Sequence, residues 1–169
     1  MEYYNNNYLM HYGVKGMKWG VRRYQNKDGS LTPAGKKRVS EEYKKYATKA
    51  QTDLENNYNN RWLKAYNKAA DDMNNGLTDK YNSDYDRKLG DKAKDHDYFN
   101  DDEYNSGYEK LFNEQWTKHY NQETAREMMS NPNYKKAQKL CDKYNMTSFD
   151  DLAKTNAEAI KEMRKMMGG

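Results

Sequence analysis

The sequence predicts a mainly α-helical protein, an elongated helical bundle that follows a small Gly-rich, β-hairpin-like N-terminal module. Apolar residues recur at spacings of three and four after residue 33, which is typical of amphipathic helices. Residues before that point instead combine closely spaced glycines with turn-forming dipeptides. No convincing strand pattern follows the module, so we expect helices throughout the rest of the chain.

The N-terminal part of the chain is predicted to contain a tail and a module. Residues 1–7 are rich in Asn and Tyr without periodicity, which predicts a disordered tail. Residues 8–32 form the predicted module. Within it, residues 21–25 are typical of a short strand, residues 26–29 of a turn, and residues 30–31 of the returning strand.

The helical body is predicted to span residues 33–169. Thr32 has the residue type of a helix N-cap, and Pro33 suits the first helical position. We expect the helices of the body at about residues 33–74, 78–89, 104–129, 132–144 and 149–167. The sequence Asn74-Asn75-Gly76 indicates the end of the first of them, and Ser148 with Asp151 resembles a capping box. Residues 91–103 are acidic and aperiodic, which predicts a loop.

Composition and charge describe the surface and the core. Hydrophobic residues make up only 35% of the 169 residues, and Tyr, with 17 copies, is by far the commonest aromatic residue. Tyr buries its ring while its hydroxyl stays near water or a partner, so we expect a core that is wet at its edges. Eight basic and two acidic residues lie within residues 1–39, a net charge of +6, so the remainder carries −2.

The cellular location follows from cysteine usage and hydropathy. Cys141 is the one cysteine in the chain, which excludes an intramolecular disulfide and favours a reducing compartment. No apolar run approaches the roughly 20 residues that span a bilayer, and the N-terminus lacks the apolar stretch of a secretory signal. We therefore predict a soluble, intracellular protein without a membrane partner.

No catalytic set or cofactor site is predicted. Nucleophilic catalysis needs a Ser or Cys beside an oriented base, and Cys141 instead lies on an apolar helical stripe, where a buried structural thiol is favoured. The glycines of the module do not have the spacing of a phosphate-binding loop. The sequence context marks none of the three histidines as a base; these are His11, His96 and His119.

Two segments contain residue types that occur in metal sites, but their spacing does not predict a metal ligand in either. The turn that ends at Gly29 would place Tyr24 and Gly35 at the first and twelfth positions of a calcium loop, and neither supplies a carboxylate. Asp95-His96-Asp97 opens an acidic region that extends to residue 103. Adjacent loop residues rarely converge on one ion, so a solvated acidic loop is favoured there, and metal binding by residues 95–103 stays an open alternative.

The module carries the strongest candidate binding residues, in which cations alternate with aromatic rings. This mixture suits phosphates and stacked bases, as in a nucleic-acid interface. The favoured alternative is that the aromatic side chains anchor the module while its cations face solvent. The candidate partner-binding or nucleic-acid-binding residues are Lys15, Lys18, Trp19, Arg22, Arg23, Tyr24, Lys36, Lys37 and Arg38.

The segment HYGVKGMKWGVRRYQNKDGSLTPAGKKR, which begins at His11, carries a long and specific motif. It resembles the H-x-G-x-K-G-M-K-W-G-x-R-R segment of tailed-phage and prophage proteins of gut Firmicutes, where the segment occurs on head-morphogenesis and other structural or accessory proteins. The resemblance covers about residues 8–39. It implies a phage or prophage origin, and it does not imply a single activity.

The function predicted from these observations is that of a non-enzymatic phage or prophage accessory protein that binds another protein. Two forms of it stay open: a virion-associated or head-associated protein, with a head protein as partner, and an inhibitor of a host defence system, such as an anti-CRISPR protein that occupies a Cas effector. The competing prediction is a nucleic-acid-binding protein that uses residues 11–38. The expected location is the host bacterial cytoplasm or the virion, and the oligomeric state is left open.

Overall fold

A computed structural model describes residues 23–144 and 156–168, and these residues are mainly helical. The chain divides into two compact units, residues 1–44 and residues 45–169, with the division inside the first helix. The α-helices are α1 (Pro33–Asn56), α2 (Tyr58–Asp72), α3 (Thr78–Leu89), α4 (Asp102–Ser130), α5 (Pro132–Tyr144) and α6 (Ala157–Met166). The mainly α prediction is therefore confirmed.

The start of α1 follows directly from its first residues. Pro33 is the first helical residue, and the Thr32 hydroxyl accepts a hydrogen bond from the Gly35 backbone N–H at 3.1 Å. The predicted Thr-Pro helix start is confirmed, because the Thr hydroxyl satisfies an amide that has no partner within the helix.

The prediction of one helix over residues 33–74 is wrong, because the chain turns at Asn57 between α1 and α2. Asn57 has φ −94° and ψ 7°, and its side-chain amide donates a hydrogen bond to Glu127 of α4 at 2.8 Å. Asn is a weak helix former whose side chain competes for hydrogen bonds, and here a partner distant in sequence engages that side chain. The apolar periodicity continues across the turn and therefore hid it.

The predicted helix stop at residues 74–76 is confirmed. α2 ends at Asp72, and Asn75 (φ −89°, ψ 31°) and Gly76 (φ +110°) have non-helical backbone angles that form a kink before α3. The left-handed backbone at Gly76 suits glycine. The bounds of α3 coincide with the predicted residues 78–89.

The prediction of a loop over residues 91–103 is wrong in most of its length. Two 3₁₀ turns, Gly90–Asp95 and Tyr98–Asn100, occupy it. The carboxylates that suggested a solvated loop instead cap helices: Asp97 accepts from two backbone amides of the second turn, and Asp101 accepts from the first amides of α4. The second cap explains why α4 begins at residue 102 and not at the predicted residue 104.

The last two helices differ in how far they test the prediction. α5 begins at the predicted Pro132, where Asn131 caps it by accepting the backbone N–H of Asn133 at 2.8 Å and of Tyr134 at 3.0 Å, and it is helical through Tyr144, where this described range ends. The structure describes α6 within the predicted residues 149–167. The predicted capping box at Ser148 lies outside the described residues.

The buried core consists mainly of alanines and methionines, and only two of the tyrosines in the described part of the chain are buried. The buried apolar residues are Val39, Ala50, Leu54, Ala65, Ala69, Met73, Tyr85, Ala125, Met128, Tyr134, Ala137, Cys141, Ala159 and Met163. The expectation of a Tyr-rich core is therefore wrong, because small side chains fill the places where helices approach closely. The Cys141 thiol is buried, as its position on the α5 stripe predicted.

Candidate functional site

The described part of the N-terminal module is a tight turn held against the start of α1. One antiparallel bridge joins Gln25 to Leu31, and Gly29 adopts φ +87° in the turn between them. The predicted hairpin is reduced to this bridge within residues 23–32, and residues 21–22 lie outside the described range. A Cβ on Gly35 would lie 2.0 Å from the Tyr24 carbonyl oxygen, so the first turn of α1 approaches the hairpin too closely for any other residue.

Five of the nine candidate residues lie in the described range: Arg23 and Tyr24 in the module, and Lys36, Lys37 and Arg38 in α1. Two of their cations contact the Tyr24 ring. The guanidinium of Arg38 lies 4.7 Å from the centre of the Tyr24 ring, and that of Arg23 lies 5.9 Å from it. Tyr24 is thus engaged by cations of its own chain. Lys36 and Lys37 are exposed, and the Lys37 ammonium lies 4.0 Å from Glu41. The other four candidates, Lys15, Lys18, Trp19 and Arg22, lie outside the described residues.

The acidic segment around His96 forms a hydrogen-bonded corner. Asp101 accepts hydrogen bonds at 2.6 Å from the Tyr85 hydroxyl and at 3.0 Å from the Tyr104 backbone, and its Oδ2 lies 2.6 Å from His96 Nε2. The bond from Tyr85, followed by the backbone bond, lowers the pKa of Asp101 to about 2. The same bond raises the pKa of Tyr85. Over residues 23–144 and 156–168, no three His, Cys, Asp or Glu side chains are grouped as metal ligands.

A tyrosine cluster extends this corner between α3 and α4, and each of its hydroxyls has a hydrogen-bond partner. The pairs are Tyr81 with the Tyr104 carbonyl, Tyr85 with Asp101, Tyr98 with Asp86, Tyr104 with Asn82, and Tyr108 with Thr78. Burial raises the pKa of Tyr81 and of Tyr104, as expected for hydroxyls held in their neutral form. Because its polar atoms are satisfied internally, we assign this cluster a structural role.

A second set of aromatic rings joins α2 to α4 in a regular row. Each of three rings on α2, spaced four residues apart, contacts one ring on α4, where the spacing is also four. The pairs and the distances between their ring centres are Tyr58–Tyr120 at 5.9 Å, Trp62–Trp116 at 6.4 Å and Tyr66–Phe112 at 5.3 Å. Residue numbers rise along α2 as they fall along α4, so the two helices pack antiparallel.

A row of polar pairs also joins α2 to α4. The pairs are Arg61–Glu127 at 2.6 Å, Lys68–Glu123 at 2.5 Å and Asp72–His119 at 2.7 Å. Burial, the largest single effect, would lower the pKa of Arg61, but the hydrogen bonds and charge interactions with Glu127 and Tyr120 together outweigh it, so that the pKa is raised. Ala65 and Ala69 of α2 are fully buried. The polar row fixes how the helices pair, although two of its buried nitrogens, Arg61 Nε and His119 Nδ1, have no hydrogen-bond partner within the described residues.

The α2 side of the aromatic row is open to solvent, whereas its rings on α4 (Phe112, Trp116 and Tyr120) are partly buried. Tyr58 is 47% exposed, Trp62 38% and Tyr66 42%, and the neighbouring Leu63 is 53% exposed. No hydrogen bond within the described residues engages the hydroxyl of Tyr58 or Tyr66. We call this surface the aromatic face; its residues are Tyr58, Trp62, Leu63, Tyr66, Phe112, Trp116 and Tyr120.

The aromatic face continues into a groove of about 420 Å³ at the end nearest the kink. The groove begins at Tyr66 and Phe112, which it shares with the face. Its remaining lining residues are Ala70, Met73, Asn74, Tyr108 and Glu109. Glu109 is the one charged residue among them, and it forms no ion pair within the described part of the chain. The groove is thus mostly apolar with a single carboxylate at its edge.

The sequence contains a signal for the aromatic face. The rings recur every four residues on both helices, a spacing that places them along one side of a helix. Such a stripe usually indicates a core, and the sequence does not show that this one is left half exposed. Pairing of α2 with α4, which are separated by α3, decides that outcome.

Comparison with known proteins reaches only the N-terminal segment. A family model described as a family of unknown function (DUF7211) matches residues 2–26. No curated protein and no solved structure matches the chain. Among the described residues, none of the helices has the length and apolar character needed to cross a membrane. The similarity is therefore confined to the predicted tail and module.

Proposed function

We propose that this chain acts by binding another protein and not by catalysis, and that the aromatic face of α2 and α4 is its binding surface. The observation that carries the proposal is the regular row of paired rings, of which the three on α2 are 38–47% exposed. Tyr and Trp are the residues that dominate protein interfaces, because each offers a large, rigid contact area that loses little entropy on binding. A contiguous apolar patch of this kind on a soluble surface is typical of an interaction site.

The helices hold the aromatic face in one arrangement before any partner arrives. The ring of Trp62 stacks on Tyr66 at 5.2 Å, and that of Trp116 on Tyr120 at 5.3 Å, so each ring is supported along its helix as well as across the pair. The polar row fixes the register of the two helices. A surface that is already ordered loses less entropy when it binds, which favours affinity.

The polar clusters contain residue types that are common in catalytic sites, but their hydrogen bonds have structural roles. Asp97 and Asp101 cap helices, and His119 and Asp72 bond to each other across the α2–α4 pair. The three carboxylates and the Nε2 atom of His119 therefore take part in structural hydrogen bonds. The signature over residues 8–39 supports the proposal of a phage or prophage accessory protein, either associated with the virion or inhibiting a host defence nuclease.

The experiment measures the affinity of variants of the full chain for a partner protein that the wild-type chain captures from phage-infected host cells. Leu63→Asp places a charge in the aromatic face at a position that is already exposed, so the fold is retained. A residue at the centre of an interface typically contributes about 2 kcal/mol, which corresponds to a loss of roughly 30-fold in affinity. Phe99→Asp is the matched control, because Phe99 is exposed and apolar but lies in the second 3₁₀ turn.

Three outcomes separate the candidate functions. Loss of binding with Leu63→Asp and retention with Phe99→Asp support the proposal; equal binding by both variants contradicts it. If a variant with Glu at Lys36, Lys37 and Arg38 loses salt-dependent binding to DNA instead, the nucleic-acid function of the module is favoured. A Cas effector among the captured proteins selects the inhibitor, and a portal or capsid protein selects the virion component.

A further inference from the structure

We infer that the element bound by the aromatic face is an amphipathic α-helix of the partner, with an apolar side chain in the groove and a Lys or Arg beside Glu109. This inference rests on the proposed function and specifies the partner that the same surface takes. Three observations carry it: the hydrogen-bonding state of the surface, its length and its charge.

The surface offers side chains and no free backbone. It is built from α2 and α4, whose internal amides and carbonyls bond within each helix. An extended peptide recognised as an added strand needs an open sheet edge. The described residues contain a single β-bridge, in the module, and no edge on this face. Strand addition therefore has no backbone to pair with here, and a helix, whose backbone hydrogen bonds are internal, fits a surface that offers side chains alone.

The length of the surface matches a helix of about four turns. The face and the groove extend along α2 from Tyr58 to Met73, and at ~1.5 Å of rise per residue this is about 23 Å. Two antiparallel helices that leave an apolar groove between them accept a third helix, whose apolar residues at positions i, i+3, i+4 and i+7 fill it. The groove at the kink is then the pocket for one terminal anchor residue.

The charge of the partner follows from the lining of the groove. Glu109 is exposed at its edge and has no ion pair within the described residues, so a cation of the partner is its complement. Tyr66 and Trp62 present half-exposed rings along the same surface, and such rings attract Arg and Lys. Acidic flanks on the helix would face this carboxylate instead and be repelled.

The test uses the full chain and a designed 16-residue helical peptide with Leu at positions 2, 6, 9 and 13 and Arg beside each end of the Leu row. A second peptide has Glu in place of Arg. Binding is measured by fluorescence anisotropy at physiological salt with wild-type chain, Glu109→Lys and Glu114→Lys. Glu114 is the matched control, because it is an exposed carboxylate of the same helix that does not line the groove.

We expect the Arg peptide to bind at least tenfold more tightly than the Glu peptide, Glu109→Lys to lose at least tenfold in affinity, and Glu114→Lys to lose less than threefold. Equal losses in the two variants would mean that only net charge matters, and would overturn the inference. So would self-association of the wild-type chain that Leu63→Asp abolishes, because the occupant would then be a second copy.

The captured partner distinguishes failure of this inference from failure of the proposed function. If Leu63→Asp abolishes binding of that partner while Glu109→Lys leaves it unchanged, the aromatic face binds protein but the basic helix is wrong. If neither variant changes binding, the proposed function itself fails. Loss with both Leu63→Asp and Glu109→Lys, but not with Glu114→Lys, supports both.

Discussion

Replacing Gly107 by Ala tests whether the tyrosine cluster has the packing that the structure shows. Gly107 lies inside α4, where Ala normally stabilises a helix by about 1 kcal/mol relative to Gly. A Cβ at this position, however, would lie 2.1 Å from the Tyr81 hydroxyl oxygen. That hydroxyl donates a hydrogen bond to the Tyr104 carbonyl at 2.8 Å, so the ring cannot move without losing it.

The expected magnitude follows from these opposing effects. Loss of the hydrogen bond costs about 1 kcal/mol, and displacing a packed ring costs about 1–3 kcal/mol. After the gain in helix propensity, Gly107→Ala should lower the free energy of unfolding by about 1–3 kcal/mol. In a Tyr81→Phe background the nearest atom is the ring carbon at 3.1 Å. There the same change should be close to neutral, which gives a coupling of at least ~1 kcal/mol between the two positions.

The assay is urea denaturation of the four chains of this cycle, followed by far-UV circular dichroism. Ser106→Ala is the control, because Ser106 is an exposed neighbour in α4 and the change should stabilise by a few tenths to ~0.5 kcal/mol. The packing argument is refuted if Gly107→Ala stabilises the wild-type chain as Ser106→Ala does, or if its effect is the same with and without the Tyr81 hydroxyl.

Three further predictions concern the module, the acidic corner and the polar row. Gly35→Ala should detach the hairpin from α1 and speed amide exchange at Thr32 at least tenfold without changing exchange in α4; unchanged protection at Thr32 would contradict the close approach. Because the folded-state pKa of Asp101 is lowered to about 2, its contribution to stability is present above pH ~4 and is lost as pH falls toward 2. Asp101→Asn should remove this part of the acid dependence in urea titrations, and parallel pH profiles of the two chains would refute it. Arg61→Ala should lower the free energy of unfolding by about 3 kcal/mol, because Glu127 is left without its cation; a loss below ~1 kcal/mol would show that the pair is solvated.

Local signals in the sequence predicted the helices well wherever a cap or a turn residue determines the boundary. Thr32-Pro33, Gly90 and Asn131-Pro132 each mark an end that the structure has at the same place. The turn at Asn57 was not predicted, because the residue that its side chain bonds, Glu127, is 70 residues away in the sequence. No local pattern contains such a partner, and the apolar stripe on either side of the turn remains in phase.

The aromatic face could be predicted only in part from the sequence, for a similar reason. Periodicity predicts that Trp62 and Trp116 each lie on the apolar side of a helix, and this is what the structure has. Whether other helices cover those rings depends on the tertiary packing. In the structure α4, which follows the kink and α3 in the sequence, contacts the rings of α2 on one side. The candidate binding residues were predicted in the basic N-terminal segment because charge can be read directly from a sequence. The exposure of an aromatic row depends on tertiary packing and cannot be read in this way.

The most direct test of protein binding through the aromatic face is photo-cross-linking from single positions in infected host cells. Benzoylphenylalanine replaces Leu63 in one chain and Phe99 in another, both positions being exposed in the structure. The account predicts a discrete covalent adduct with one partner protein from position 63 and none from position 99. An adduct from position 99 alone, or no adduct from position 63 while wild-type chain still captures that partner, would contradict it.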